Sequence, residues 1–420
     1  MQHPDSTQPP QAKPPRERLW TAPFLACGLV NGLQGMAHFV MLTILPLVII
    51  ESFRKGDLEA GLAMACFQVG AVCFRPLAGC TIDRMDKQNL LRLTSLALMA
   101  DVLLFLLWPP LEGIYALRLV HGVIFAFGTT TAAAAAALLI PPSRKGEGFG
   151  YFAVTINLAM IIGPLAGLTV YGAFGANAVF LFLGAICAIA LLASLWPRLP
   201  SEARVPRAQG PFRLAPSSFF ERKSLPASVF GGLVFFAYGA ILTFVTLYAR
   251  SLGLEQGVRL FFLLFAAVIV ASRPLVGRLF DTRGPGFVVW PGFLLFGLGL
   301  LALGASGLPG IAGPGGVQVL PGLALSRESC FLASTLPLGL GFGALTPAFQ
   351  TIAVTSAPRE RAGVATATFS WLLDINVGLA AFALGLAATQ AGYPRLYMGL
   401  AGFVGLEALA YGCWLWRRRA

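Results

Sequence analysis

Charged residues are scarce in this chain of 420 residues. Asp, Glu, Lys and Arg make up 11% of it, 57% is hydrophobic, and the mean hydropathy is +0.76. Soluble proteins carry about 25% charged residues, so the composition excludes an ordinary soluble domain. One membrane-spanning helix needs about 20 apolar residues, and the length therefore allows roughly a dozen helices with their loops.

Signatures of catalysis and metal binding are also missing from the sequence. Its seven cysteines form no CxxC pair and it has only three histidines, so we predict neither a metal site nor a disulfide framework. Neither Gly-x-x-x-x-Gly-Lys-Ser/Thr nor HExxH occurs, and the alternating ten-residue segments of a β-barrel are absent. We therefore predict that the chain is not an enzyme and needs no cofactor.

The net charge of +12 suggests a nucleic-acid partner, but its distribution indicates a membrane instead. Assigned to the nearer end of each apolar run, 23 of the 30 Lys and Arg residues lie on the side that holds both termini, six lie on the other side, and Arg118 lies within a run. Cytoplasmic loops carry such an excess. We predict a multi-pass protein in the lipid bilayer of the cell (inner) membrane, with both termini cytoplasmic and no nucleic-acid partner.

The apolar runs predict an all-α membrane protein of twelve helices in two pseudo-symmetric halves. The predicted spans are 19–50, 57–80, 89–109, 113–140, 149–172, 176–197, 226–250, 257–280, 286–306, 329–355, 363–389 and 393–416. The halves cover 19–197 and 226–416, and a basic cytoplasmic linker, 198–225, joins them. Residues 1–18 form a predicted disordered tail, and 417–420 a short basic one.

A charged turn recurs in both halves. Residues 75–87 read RPLAGCTIDRMDK, and residues 273–284 read RPLVGRLFDTRG, 198 positions later. The residues that we assign to this turn are Gly79, Asp83, Arg84 and Lys87 in the first copy and Gly277, Asp281 and Arg283 in the second. A turn repeated between apolar runs indicates a duplicated membrane bundle.

A second offset, of 217 residues, links Asn157 to Asp374 and Arg144 to Arg361. The two offsets differ by 19, so the second half contains an insertion of about that length. Its predicted place is 307–327, where glycine and proline disfavour a helix. We interpret it as an extracytoplasmic loop.

The first copy of the turn resembles the loop signature between the second and third helices of major facilitator superfamily (MFS) transporters, Gly-x-x-x-Asp-Arg-x-Gly-Arg-Lys. Two positions depart from that pattern, since Asp86 replaces a glycine and Gln88 a basic residue. The resemblance implies the twelve-helix MFS fold, a monomer, and a cytoplasmic gate latch in which Asp83 bonds to a neighbouring helix end. It also implies a cavity between helices 1, 4, 7 and 10.

The fifth span resembles the helix signature of MFS exporters. Gly150, Gly163, Pro164 and Gly167 match its glycine and Gly-Pro positions, and Ala159 stands in for another glycine. Small residues let helix backbones approach closely, as a surface that must rock requires. The alternative is that they only pack one membrane helix on another.

Arg118 resembles the fourth-helix arginine of proton-driven family members. A buried arginine keeps its charge and needs an anion nearby, and Asp101 is the obvious candidate. On antiparallel helices that rise 1.5 Å per residue, their depths differ by roughly 7 Å, which long side chains can close. We predict an ion pair that serves proton coupling, with a purely structural pair as the alternative.

Asp374 is the best sequence candidate for the coupling proton site. It lies about eleven residues into its span, near mid-membrane, where burial penalises a charged carboxylate. Its repeat partner Asn157 is an amide, which can form hydrogen bonds but does not carry a proton. The alternative is a hydrogen-bonded structural acid. Glu407 is a weaker rival because the resemblance places the last helix at the periphery.

Polar side chains within the apolar spans are predicted to face the substrate cavity. Asn31, Gln34 and His38 share one face of the first helix, and Tyr238 and Asn157 are candidates on the seventh and fifth spans. A lone buried histidine also serves as an ordinary packing residue. We predict proton-coupled efflux of a small organic molecule. The alternatives are a metabolite importer or proton symporter, and a transport-inactive membrane sensor or scaffold.

Overall fold

The computed structural model describes residues 17–196, 198–204, 216–254, 256–308, 317–320 and 323–419. Most of the predicted disordered tail therefore lies outside the described residues, as do 205–215 of the predicted linker and residue 420 of the basic tail.

Long helices account for nearly all of the described chain. They are α1 (Ala22–Glu51), α2 (Asp57–Ile82), α3 (Lys87–Leu104), α4 (Leu111–Leu139), α5 (145–174), α6 (176–195), α7 (Leu225–Ser251), α8 (Gly257–Arg283), α9 (Gly286–Ala305), α10 (Arg327–Thr355, in two segments that meet at Ser334), α11 (Ala362–Ala391) and α12 (Tyr393–Arg419). The shorter helices are Phe105–Leu107, Pro142–Arg144, Ser201–Arg204, Pro216–Phe219 and Arg359–Arg361. Twelve crossings agree with the predicted fold class.

The fifth and sixth crossings are separated only by Gly175. Eleven helical stretches of the described chain are long and apolar enough to span a membrane, and one of them runs unbroken by turns through Lys145–Leu195. Its 51 residues would extend about 76 Å as one helix, more than twice the hydrocarbon thickness. Gly175 adopts φ +79°, a left-handed conformation that ends α5 and starts α6.

An even number of crossings places both ends of the described chain on one side of the bundle. We call this side the terminal face. It holds the turns that follow α2, α4, α8 and α10. The first of these turns shows why Asp86 departs from the family pattern: it is the N-cap of α3, where its Oδ1 accepts hydrogen bonds from the backbone N–H groups of Gln88 (2.9 Å) and Asn89 (3.2 Å). The substitution therefore stabilises the next helix.

Each half has its own apolar core. The buried members of the largest cluster lie between Ala227 and Tyr411, and those of the next lie between Ala37 and Cys187. Within the first half α1 packs on α5 and α2 on α4, and within the second α7 packs on α11 and α9 on α10. The halves meet chiefly through α2 with α11 and α5 with α8. The outer surface is apolar, as lipid requires; examples are Leu158, Leu165, Leu181, Leu192, Leu294 and Phe382.

The predicted insertion contains a structure that the sequence did not indicate. Strands β1 (Val317–Leu320) and β2 (Leu323–Leu325) pair antiparallel there, with Val317 opposite Leu325. They lie on the face opposite the terminal face, between α9 and α10. The remainder of the insertion, 309–316 and 321–322, lies outside the described residues.

Candidate functional site

Asp83 fastens the first half to the second at the terminal face. It follows the last residue of α2, and its two carboxylate oxygens accept hydrogen bonds from the backbone N–H groups of Gly363 (2.7 Å) and Val364 (3.0 Å). These groups belong to the first turn of α11, where helix N–H groups have no partner within their own helix. A carboxylate is also stabilised by the positive end of that helix dipole. We call this contact the first latch.

The second copy of the charged turn forms an equivalent contact. Oδ1 and Oδ2 of Asp281, near the end of α8, accept hydrogen bonds from the N–H groups of Gly146 (2.6 Å) and Glu147 (2.9 Å) in the first turn of α5. Glu147 is in turn bonded to Arg144 at 2.8 Å. We call this contact the second latch. Both latches are closed, so the halves are held together at the terminal face on two sides.

Each latch needs a glycine one helical turn before its aspartate. A Cβ on Gly79 would overlap Ala367 of α11 and lie 3.1 Å from the carbonyl oxygen of Gly363. A Cβ on Gly277 would lie 2.5 Å from the Cα of Glu147. The backbones therefore approach too closely for any larger residue, which explains why the repeated motif carries Gly four residues before Asp.

The first latch sits among further ionisable groups. Lys87 is 1% exposed beside it, and the guanidinium of Arg361 bonds Glu221 at 2.6 Å. Burial raises the pKa of Asp83 to about 6, although the two backbone N–H groups and the charges of Lys87 and Arg361 act in the opposite direction. Arg84 and Arg283 lie at the same face, and Arg283 packs over Phe287.

An ion pair joins the halves deeper in the membrane. Arg75 Nε on α2 donates a hydrogen bond to Asp374 Oδ2 on α11 at 2.7 Å. The arginine side chain is 4% exposed and the aspartate 25%. Arg75 precedes Asp83 by eight residues and Asp374 follows Gly363 by eleven, which places them about 12 Å and 16 Å from the latch. Arginine side chains lean toward the N-terminus of their helix, and this direction closes the difference.

Neighbouring side chains hold this pair in place. Nη1 of Arg75 donates to the hydroxyls of Thr130 (3.2 Å) and Thr129 (3.4 Å) on α4, and Gln68 Nε2 donates to the backbone oxygen of Asp374 (3.2 Å). The depth of Asp374 in its apolar run is apparent from the sequence, but its partner is not. Arg75 was part of the repeated motif, but it was interpreted as belonging to the turn and not to the membrane interior.

The equivalent arginine of the second half has no carboxylate. Arg273 is 2% exposed, and its Nη1 donates to the carbonyl oxygen of Gly343 on α10 at 3.0 Å. Asn157 occupies the repeat position of Asp374. Among the described residues, neither Arg273 Nε nor Asn157 Nδ2 has a hydrogen-bond partner.

The structure corrects the expected pairing of Asp101 with Arg118. Asp101 Oδ2 instead lies 2.8 Å from Nδ1 of His121, and both side chains are buried. His121 is three residues deeper in α4 than Arg118, so its depth differs from that of Asp101 by only about 3 Å. Arg118 lies over the ring of Phe67 at 4.7 Å and near the sulfur of Met64. Its charge is held by aromatic and sulfur contacts.

The polar residues of α1 that we predicted to face the substrate cavity make contacts inside the first half. Asn31 Nδ2 donates to Thr155 Oγ1 (2.9 Å), and Gln34 Nε2 is 3.4 Å from Ser95 Oγ. His38 stacks on Phe67, with ring centroids 4.2 Å apart.

The remaining candidate residues lie either between helices of the first half or between the two halves. A Cβ on Gly163 would be 3.1 Å from Phe39, and one on Gly167 3.0 Å from Val40, so these glycines and the adjoining Pro164 form the packing surface of α5 on α1. Gly150 instead faces α8, with 3.6 Å to the oxygen of Arg273. Tyr238 Oη reaches Met160 of the other half at 3.3 Å.

Comparison with known families places this geometry in context. The family model described as Major Facilitator Superfamily matches residues 27–375. The staphylopine export protein of Staphylococcus aureus (strain Mu50) is 27% identical over 299 residues, covering 67% of this chain and 71% of that one. The uncharacterized MFS-type transporter YhhS of Escherichia coli (strain K12) is 24% identical over 292 residues, covering 70% of this chain and 65% of YhhS.

Solved structures share the fold at low sequence identity. The human organic anion transporter MFSD10 superposes with a TM-score of 0.72 at 17% identity, covering 92% of this chain and 98% of that one. A bacterial homologue of the iron transporter ferroportin, in an outward-facing state, gives 0.70 at 15% identity, covering 95% and 99%.

Proposed function

This chain belongs to the Major Facilitator Superfamily, and from that premise we propose that it is a proton-coupled exporter of a small organic molecule. Members of the family are secondary transporters and not enzymes, and they generally act as monomers. Alternating access requires two halves that rock about a central site. We assign these halves to residues 19–197 and 226–416.

The orientation follows from charge. We assign the terminal face to the cytoplasmic side of the cell (inner) membrane, because an excess of Lys and Arg like the one near this face is typical of cytoplasmic loops. Because both latches are closed on this side, we interpret the structure as the state that is closed toward the cytoplasm. Opening it requires Asp83 and Asp281 to leave the helix ends that they bind.

The observation that carries the proposal is the ion pair between Arg75 and Asp374. This pair joins the two halves near mid-membrane. Of its two members only Asp374 can change its charge, because arginine stays protonated. When Asp374 accepts a proton, its charge attraction to Arg75 disappears, and one tie between α2 and α11 weakens. Proton binding is thereby linked to the relative position of the halves, as coupling requires.

Two observations support export over uptake. Its α5 resembles the glycine pattern of family exporters, with Ala159 in place of one glycine, and a relative at 27% identity is an export protein. Asp101 and His121 form a second buried pair of groups that can bind a proton. Both belong to the first half, so a proton on this pair does not act directly on a contact between the halves. We therefore assign them to stability of that half, with Arg118, and assign coupling to Asp374.

A ligand screen followed by transport tests this function. Purified protein is screened for small organic molecules that raise its melting temperature, and the hits are assayed in proteoliposomes with and without an imposed pH gradient. We expect substrate to move against its gradient only when protons flow the opposite way. Movement of substrate and protons in the same direction would contradict export and assign the symporter alternative.

A further inference from the structure

The two interfaces between the halves are built to the same plan. Asp83 on α2 meets Gly363 on α11, and Asp281 on α8 meets Gly146 on α5. Both contacts tie the last turn of one helix, or the residue that follows it, to the first turn of another. Counting along each helix from these latches therefore gives equivalent depths in the two interfaces.

Equivalent depths hold different groups. We call the contact of α2 with α11 the first interface and that of α8 with α5 the second. In the first interface Arg75 lies eight residues before Asp83. It meets Asp374, which lies eleven residues after Gly363. In the second interface the same counts reach Arg273 and Asn157. An arginine side chain leans toward the N-terminus of its helix, and because α2 and α8 run in the same direction, this lean points away from the terminal face in both interfaces. An amide thus stands where the first interface has a carboxylate.

The arginine Nε atom has a hydrogen-bond acceptor in the first interface and, among the described residues, none in the second. Arg75 donates from Nη1 to threonine hydroxyls and from Nε to the carboxylate of Asp374. Arg273 donates from Nη1 to Gly343, and its Nε has no acceptor among the described residues, nor does Nδ2 of Asn157. The described part of the second interface therefore contains two buried donors without a hydrogen-bond partner, and it has no carboxylate equivalent to Asp374.

The guanidinium of Arg273 is held in position by a feature of α10. Pro347 has no N–H group, so the carbonyl oxygen of Gly343, four residues earlier, receives no bond within the helix. Arg273 Nη1 occupies that oxygen at 3.0 Å. This contact fixes one edge of the planar group, whereas the buried Nε atom has no acceptor among the described residues.

We infer that Arg273 and Asn157 bind a carboxylate group of the transported molecule, so that the substrate is an organic anion. This inference rests on the proposed transport function. A buried arginine charge without a counter-ion is costly, and a planar carboxylate matches the fork of its donors. The first interface excludes such a ligand because Asp374 already fills the position. Proton and substrate thus use equivalent places in opposite interfaces.

Matched pairs of small probes test the binding site. The melting temperature of the purified full-length protein is titrated with benzoate and succinate, and with benzamide and succinamide, which have similar shapes but no charge. We expect stabilisation by at least one carboxylate and by neither amide. If no carboxylate is preferred over its amide, the inference is wrong. Equal stabilisation by sodium chloride would show an adventitious ion only, and would also overturn it.

Two variants locate the site. Arg273→Gln removes the donor, and Asn157→Asp supplies the missing carboxylate from the protein itself. Each should weaken carboxylate binding at least tenfold, and Asn157→Asp should also raise the melting temperature of the ligand-free protein because it gives Arg273 a partner. Undiminished carboxylate binding in Asn157→Asp, or no rise in its melting temperature, would contradict the site.

A third variant separates this inference from the proposed function. Asp374→Asn changes no residue of the second interface, so it should still bind the carboxylate probes in preference to their amides. Normal probe binding together with unaltered proton coupling in Asp374→Asn would refute the coupling role and leave the anion site standing. Loss of probe binding in Asp374→Asn would refute the separation of the two sites.

Discussion

The pair of Arg75 with Asp374 predicts an unequal response to the loss of each partner. Removing one member of a buried ion pair costs about 3–5 kcal/mol because the other charge is left unpaired. In Asp374→Asn the remaining charge is Arg75, which is 4% exposed and cannot lose its proton. Its bonds to Thr129 and Thr130 persist, so we expect a cost near the lower limit, about 3 kcal/mol.

Arg75→Gln should be milder. The carboxyl of Asp374 is 25% exposed and can become neutral, so its isolation costs less, about 1–2 kcal/mol. The double variant leaves no charge and should be more stable than Asp374→Asn alone. Equilibrium unfolding in mixed micelles, with increasing fractions of dodecyl sulfate, measures the free energies of unfolding. Glu407→Gln serves as control, because Glu407 is a buried carboxyl whose oxygens have no partner among the described residues. Strictly additive losses in the double variant would refute the pair.

Two further predictions concern the latches. Burial raises the pKa of Asp83 to about 6 in the closed latch, so the closed latch should gain stability as the pH falls through 6, reach the full gain below the ordinary carboxyl pKa of about 4, and lose that gain as the pH rises. Spin-label distances across the terminal face, measured between pH 5 and 7.5, report the fraction of closed molecules. A closed fraction that does not change with pH would contradict this prediction. Gly277→Ala should prevent full closure because its Cβ would lie 2.5 Å from Glu147 Cα, and the same distances should lengthen, whereas Gly150→Ala, with 3.6 Å of room, should behave as the wild type.

The sequence was informative where a pattern repeats. Twelve apolar runs predicted the twelve crossings, and the resemblance to the family loop signature implied that Asp83 bonds to a neighbouring helix end, which is the start of α11. The short connection at Gly175 was also expected, because the predicted spans ended at 172 and resumed at 176. The crossings and the connection at Gly175 depend on local sequence alone, whereas the contact of Asp83 was expected only through the family resemblance.

Partners across the fold were harder to predict. Asp101 was predicted to pair with Arg118 because a buried arginine needs an anion nearby. The side chain that lies closest to Asp101 in depth is instead His121, which forms the pair. Arg75 was missed because charge beside a turn suggests a water interface. Its depth becomes apparent only by counting from the latch, which requires knowing that α2 packs against α11. The hairpin of β1 and β2 had no periodic signal in its seven residues.

The central claim is that Asp374 carries the coupling proton, and proton movement driven by substrate tests it most directly. Proteoliposomes loaded with a pH-sensitive dye are given a gradient of a substrate identified by the ligand screen, and the internal pH is followed for wild type, Asp374→Asn and the control Glu407→Gln. We predict that wild type and Glu407→Gln move protons against the substrate, whereas Asp374→Asn moves none while still exchanging labelled for unlabelled substrate. Proton movement at the wild-type rate in Asp374→Asn would contradict the account.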